Sequence, residues 1–183
     1  EDLFGCPTPS LEHFPLYEHC LRALSVGTTE GPHGLPTIRA GDWNDGMNRV
    51  GTGGQGESVW LAWFLAATLQ KFERLAQLRG DTDTVARCEN QLKHLTRVVD
   101  EHAWDGEWYR RAFFDDGTPL GTHTATECTI DAIAQSWAII AGIGDPVRAE
   151  RALQAAERHL IRKEQMLMCL LTPPFDLSQP DPG

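Results

Sequence analysis

Residues 57–78 carry Val59, Trp60, Leu61, Trp63, Phe64 and Leu65, an apolar run covering nearly every face of a helix before it narrows to a stripe at Leu69, Phe72 and Leu75. A helix apolar all round must lie between other elements. The partners it requires are legible along the chain. Leu16, Tyr17, Cys20, Leu21 and Leu24 recur at helical spacing, with Pro15 at the start and Gly27 at the end. A third helix, capped by Asp81 or Asp83, places Ala86, Leu92, Leu95, Val98, Val99 and His102 on one face. Ile130, Ile133, Ala134, Trp137, Ala138 and Ala141 form a further stripe that stops at Gly142. Asp145 and Pro146 then open a last helix with Ala149, Leu153, Ala156 and Leu160 inward.

About five helices joined by long loops point to an all-α fold, an α/α barrel or a related helical array. Residues 107–121, with Asp115-Asp116-Gly117 at the centre, have the turn chemistry of a short hairpin. Residues 172–183, with four prolines, read as extended or loose, and the lack of a closing element predicts a truncated parent chain.

Between the first two helices the period vanishes. Residues 28–56 hold glycine at positions 31, 34, 41, 46, 51, 53, 54 and 56, so a long loop is expected there. Leu35, Ile38, Trp43, Met47 and Val50 argue that it is ordered, and ordered long loops tend to carry function.

The net charge of −10 opposes a polyanion partner, since binding nucleic acid requires Lys and Arg to replace phosphate counterions. Residues 59–69 are about half of the roughly 20 residues a membrane span needs, and no signal-peptide pattern is seen, so no direct membrane insertion by this segment is expected. Cys6, Cys20, Cys88, Cys128 and Cys169 are odd in number and never spaced as CxxC, which fits reduced thiols in a cytoplasmic setting. Among seven histidines there is no zinc-ligand spacing, so no metal is expected.

Gly51-Thr52-Gly53-Gly54-Gln55-Gly56 satisfies GxGxxG, but it follows a loop rather than a strand. The phosphate-loop pattern also fails, because Glu57 stands where lysine must neutralise phosphate. Asp42-Trp43-Asn44-Asp45-Gly46 is not a calcium loop, since the fifth and twelfth positions hold Gly46 and Gly53. What remains is a carboxylate pair flanking a tryptophan, which suits carbohydrate chemistry: an aromatic ring stacks on a pyranose face, and a carboxyl near apolar surface and other carboxylates can stay protonated as an acid. Turn formation and capping are the ordinary alternative for such a loop. Trp104, Trp108 and Tyr109 are sugar platforms or hairpin packing; Glu127 and Gln135 flank the fourth helix and are sugar ligands or ordinary capping and polar residues; His94 and His102 read as structural.

The run Gly41-Asp42-Trp43-Asn44-Asp45-Gly46-Met47-Asn48, followed by Gly56-Glu57-Ser58-Val59-Trp60, resembles the inverting glycoside phosphorylases of the cellobiose phosphorylase family, glycoside hydrolase family 94. Trp104-Asp105-Gly106-Glu107-Trp108-Tyr109-Arg110-Arg111-Ala112-Phe113, Asp115-Asp116-Gly117-Thr118-Pro119-Leu120-Gly121, Ile130-Asp131-Ala132-Ile133-Ala134-Gln135-Ser136-Trp137 and Thr172-Pro173-Pro174-Phe175-Asp176 occur in the order seen in the family's cyclic β-1,2-glucan synthases.

The resemblance implies that residues 1–183 are a partial catalytic domain, truncated at both ends, forming part of an (α/α)6 barrel with long catalytic loops. It implies phosphorolysis of β-linked, β-1,2 glucans with inversion, with inorganic phosphate as co-substrate and no cofactor. Asp45 is the implied proton donor, Trp43 shapes the sugar site, Asp42 orders the loop and Glu127 is a sugar ligand. With Gln135, the residues Trp43, Asp42 and Glu127 make up the expected substrate-binding set. The family's phosphate-binding segment lies beyond residue 183 and other sugar ligands before residue 1, so the segment alone is expected to lack part of the site. Partners implied are a β-glucan oligosaccharide and phosphate, and a homodimer is compatible. The location implied is cytoplasmic, within a larger inner-membrane synthase. Two rivals stand beside this reading: a noncatalytic β-glucan-binding module, and an inverting hydrolase that would need Asp42 or Glu57 as a second catalytic carboxylate.

Overall fold

The computed structural model describes residues 8–43 and 45–183, and for Asp45 the backbone alone. Five helices are present among them: α1 Leu16–Gly27, α2 Val59–Arg79, α3 Thr82–Val98, α4 Ala132–Ala141 and α5 Pro146–Leu160. Their ends are set by local chemistry. Ser58 Oγ accepts the Leu61 N–H, Asp81 that of Thr84, Asp131 that of Ile133 and Asp145 that of Val147, each satisfying a helix amide that would otherwise lack a partner. Gly80 and Gly142 close α2 and α4 in the left-handed conformation that a Cβ disfavours.

α2 packs against α3 on one side and α4 on the other, and α4 packs on α5. Trp63, Ala62, Ala66, Leu95 and Ala152 have no exposed surface in this core. The all-round apolar start of α2 is thereby covered, although Phe64 remains 42% exposed. α1 lies against the core through the half-buried Tyr17, Cys20, Leu21 and Leu24, with Tyr17 stacked on Phe72.

Several expected inward positions are corrected, among them Leu16 of α1 and Leu75 of α2, which are 79% and 43% exposed. Ala86 of α3 is exposed, because the buried stripe runs through Thr84, Cys88, Leu95 and Val98, and a residue two positions from both Thr84 and Cys88 faces the opposite side of a helix. Leu153 of α5 is 46% exposed, while Ala149, Ala152, Ala155 and Ala156 turn inward. Small residues there let α5 lie close to α4. At the end of α3 the chain widens into a π turn, Val99–Ala103.

Strands are short. β1 Glu57–Ser58, β2 Ala112–Phe113 and β3 Pro119–Leu120 form an antiparallel sheet in the order β1-β2-β3. β2 and β3 are the expected hairpin, and β1 ties the start of α2 to it through the Glu57↔Phe113 and Ser58↔Ala112 pairs. β4 Ile130–Asp131 pairs with β7 Leu171–Thr172, and β5 Ile161–Arg162 with β6 Leu167–Met168. A second small core of Ile38, Met47, Val50, Ala112, Phe114, Leu120 and Cys128 lies between the long loop and the hairpin. No described helix is long and apolar enough to cross a membrane.

Candidate active site

The loop carrying Asp42, Trp43 and Asp45 is fixed at both ends by the hairpin. At its start, the Arg111 guanidinium donates to both Asp42 oxygens, at 2.8 and 2.7 Å. Ser58 Oγ donates to Asp42 at 2.6 Å while accepting the Leu61 amide in the first turn of α2. The Asp42 and Arg111 side chains have no exposed surface. A planar fork facing a carboxylate satisfies charge and geometry together, which a buried ion pair needs in order to offset desolvation.

Asp131 lies beside this pair. One of its oxygens caps α4, and the other is 3.6 Å from Arg111 Nε, too far for a hydrogen bond. Both of these atoms are buried without a hydrogen-bond partner. Burial pushes the Asp131 carboxyl above its ordinary range, against the pull of Arg111 and the α4 amides, and Asp42 adds to the rise. For Arg111, burial alone would lower the pKa, but the Asp42 hydrogen bond and the Asp131 charge outweigh it, so the guanidinium is held charged.

At the loop's far end, the Asp115 carboxylate accepts backbone N–H groups from Gly53, Gln55 and Gly56, at 2.6, 2.8 and 2.8 Å. Burial by itself would raise this carboxyl, yet the three amides hold it below its ordinary value. The glycine-rich run thus forms a small nest of amides, and a carboxylate of the chain fills it. Its glycines are also forced by packing: a Cβ on Gly56 would lie 2.4 Å from the Val50 carbonyl oxygen, and one on Gly51 2.5 Å from Ile38. Between the anchors, Met47 and Val50 are buried in the second core at 1% and 0% exposure. Asp45, the expected proton donor, opens the 3₁₀ turn Asp45–Met47. The Asp45 side chain and all of Asn44 lie outside the described residues. Trp43, one residue beyond the Asp42 clamp, is 59% exposed, a large aromatic ring held out from a fixed backbone.

The other expected site residues are placed elsewhere. Gln135 is fully buried, and its amide pairs with both sides of the Tyr109 peptide, accepting the N–H at 2.9 Å and donating to the carbonyl at 2.8 Å. It has no surface with which to meet a sugar. Glu127 accepts the amides of Asp176 and Leu177 at 3.0 and 2.9 Å and the Ser178 hydroxyl. The Ser178 hydrogen bond first, then the two amides, draw its carboxyl down to about 2. It therefore fastens the proline-rich tail, which the sequence reading leaves loose. That tail runs back to the loop of residues 41–56, where Arg49 N–H donates to the Pro182 carbonyl at 2.9 Å and the Arg49 side chain pairs with Asp181. Glu127 also lines a cavity of about 360 Å³ whose other walls include Phe114, Thr118, Thr122, Thr126 and Pro180. Phe114 belongs equally to the floor beneath Met47.

Tyr109 and Trp108 are core residues at 0% and 7% exposure, and Trp108 Nε1 donates to the Thr129 carbonyl. Burial raises the Tyr109 hydroxyl. His94 bonds Gly34 and faces Glu30, a loop-to-helix tie. Glu57 is buried, accepting the amides of His33 and Leu35 and pairing with the His33 ring at 2.5 Å. Asp42 and Glu57, the two carboxylates nearest Asp45 in sequence that could activate water, are thus both enclosed and committed to the loop. Sequence reading missed Arg111 and Asp115 as anchors. No local signal marked either one, because the groups they hold, Asp42 and Gly53, lie 69 and 62 positions away.

A family model described as the catalytic domain of the glycosyl hydrolase 94 superfamily matches residues 9–183. The chain belongs to this family. It is 46% identical over all 183 residues to the cyclic beta-(1,2)-glucan synthase NdvB of Rhizobium meliloti (strain 1021), covering 6% of that protein. It is 36% identical over 147 residues to the solabiose phosphorylase of Paenibacillus borealis, or 79% of this chain and 19% of the relative. Against the cellobionic acid phosphorylase of Neurospora crassa the identity is 30% over 178 residues, 97% of this chain and 22% of the relative. The chain spans a fifth or less of the length of the first two relatives. The loop that holds Asp45 lies inside the matched region.

Proposed function

We propose that this segment is the acid-bearing part of a glycoside phosphorylase unit acting on β-1,2-linked glucans with inversion, within a partial (α/α)6 barrel spanning residues 1–183. Asp45 protonates the departing glycosidic oxygen. A phosphate oxygen bonds to C1 from the opposite face as the C1–O bond breaks, releasing α-glucose 1-phosphate. Trp43 stacks on the sugar beside the acid, and Asp42 holds the turn in register.

The observation that carries this reading is the loop itself: an exposed tryptophan and an acid position two residues apart on a backbone clamped by Arg111 and Asp115. Inverting hydrolysis needs a second carboxylate to activate water, with the two carboxyl groups about 6.5–9.5 Å apart. Phosphate is its own nucleophile and needs only the acid. With Asp42 and Glu57 both enclosed, the local arrangement favours phosphorolysis over hydrolysis. The likeness to a cyclic β-(1,2)-glucan synthase supports the linkage.

The test is to incubate β-1,2-glucooligosaccharide with the natural-length polypeptide carrying this segment, with and without inorganic phosphate. Phosphate-dependent release of α-glucose 1-phosphate is expected. Release of free glucose regardless of phosphate would indicate a hydrolase, and sugar binding with neither product would indicate a noncatalytic glucan-binding module.

A further inference from the structure

We propose that Arg111 is a positioning residue for the acid loop, its guanidinium setting where the Asp45 turn stands relative to α2 and α4. It acts through Asp42, three residues before Asp45, so no more than about 11 Å of chain separates the clamp from the acid position.

The guanidinium joins four elements. Its two terminal nitrogens hold Asp42, and Nη1 also lies 3.2 Å from Ser58 Oγ at the start of α2. Nε faces the Asp131 oxygen not used to cap α4. The Arg111 backbone donates to Leu120 of β3 and accepts from Val59 of α2. Across the hairpin, a Cβ at Gly121 would lie 2.7 Å from the Arg111 nitrogen, so nothing bulkier than glycine fits against it. Loop, helix and hairpin therefore meet at one cation with no exposed surface. Lysine in this place keeps the charge but loses the fork, because one ammonium cannot face both Asp42 oxygens while reaching Ser58 and Asp131.

The kinetic half of this proposal rests on the phosphorylase reading, whereas the structural half does not. Arg111→Lys in the natural-length polypeptide is compared with wild type by amide hydrogen exchange without substrate. Exchange in residues 43–49 is expected to rise about tenfold or more, with the amides of α3 and α5 unchanged. In phosphorolysis, kcat is expected to fall about 100-fold, the cost of misplacing a reacting group by about an ångström, while KM stays within threefold. Unchanged exchange in the loop, or a rise spread evenly over the molecule, overturns the proposal. So does a loss expressed in KM alone. Where Arg111→Lys lowers the melting temperature of the whole molecule, Asp42→Asn, which keeps the shape and removes the charge of the partner, must give the same loop-confined increase or the proposal fails. A wild type that releases no glucose 1-phosphate would sink the phosphorylase reading and leave the exchange result to decide the role of Arg111.

Discussion

In the helical scaffold, Trp63, Leu95, Val98 and Ala152 meet at zero or near-zero exposure and are held by apolar burial, which is non-directional and shared among many contacts. In residues 41–56 the decisive contacts are few and directional: one guanidinium on Asp42 and one carboxylate on three amides. A scaffold of the first kind tolerates exchange of one apolar residue for another of like volume. A loop of the second kind depends on each of its few partners and loosens when one is lost. The molecule uses apolar packing where it needs bulk and paired charge where it needs placement.

The largest expected effect separates chemistry from both kinds of structure. Asp45→Asn should lower turnover by about 100-fold to 10,000-fold, the contribution typical of a general acid, with folding and sugar binding retained. Glucose 1-phosphate assays beside thermal melts check this. Next, Arg111→Met buries the Asp42 carboxylate without the guanidinium that balances its charge and should cost about 3–5 kcal/mol of stability. Leu95→Ala, in the scaffold, should cost a similar amount, about 2–5 kcal/mol. Denaturant titration gives both numbers. Hydrogen exchange then sharpens the contrast, since only the first should loosen residues 43–49 selectively. Similar loop exchange in both variants would erase the distinction between the two regions.

Asp115→Ala removes the acceptor for three amides of a partly exposed turn and should cost about 1–3 kcal/mol, confined to residues 51–56. The smallest effect concerns the tail. Glu127 has its carboxyl drawn from 4.5 down to about 2, so it binds fewer protons folded than unfolded. Its contribution is present above pH 4.5 and is lost as pH falls through about 2. Exchange in residues 176–178 should therefore rise across that window, and in Glu127→Gln it should already be raised at neutral pH. A flat response would mean that the tail is held by Pro182 and Arg49 alone.

The helices were legible because burial imposes a period, and their ends because caps are local: Asp81, Gly142 and Asp145 with Pro146 act within a few residues. The hairpin was legible from its Asp-Asp-Gly turn, and the order of the long loop from Leu35, Ile38, Met47 and Val50, all of which are buried. Phase errors at Ala86 and Leu153 arose where a small or polar residue, Thr84 or Ala152, occupies the inward position, so hydrophobicity alone misjudges the face. The anchors could not be read. Arg111 and Asp42 are 69 positions apart, Asp115 and Gly53 62 apart, and an ion pair has no period to announce it. Gln135 and Glu127 were legible as polar residues near a helix start, but not which partners would take them, because that depends on where Tyr109 and the tail return.

Under the proposed function, this loop presents an acid for phosphorolysis. The most direct measurement is the product formed from β-1,2-glucooligosaccharide and inorganic phosphate by the natural-length polypeptide and by its Asp45→Asn variant, resolved into α-glucose 1-phosphate and free glucose. α-Glucose 1-phosphate is expected from the first and almost none from the second. Equal release from both, or free glucose formed without phosphate, would contradict the proposed function.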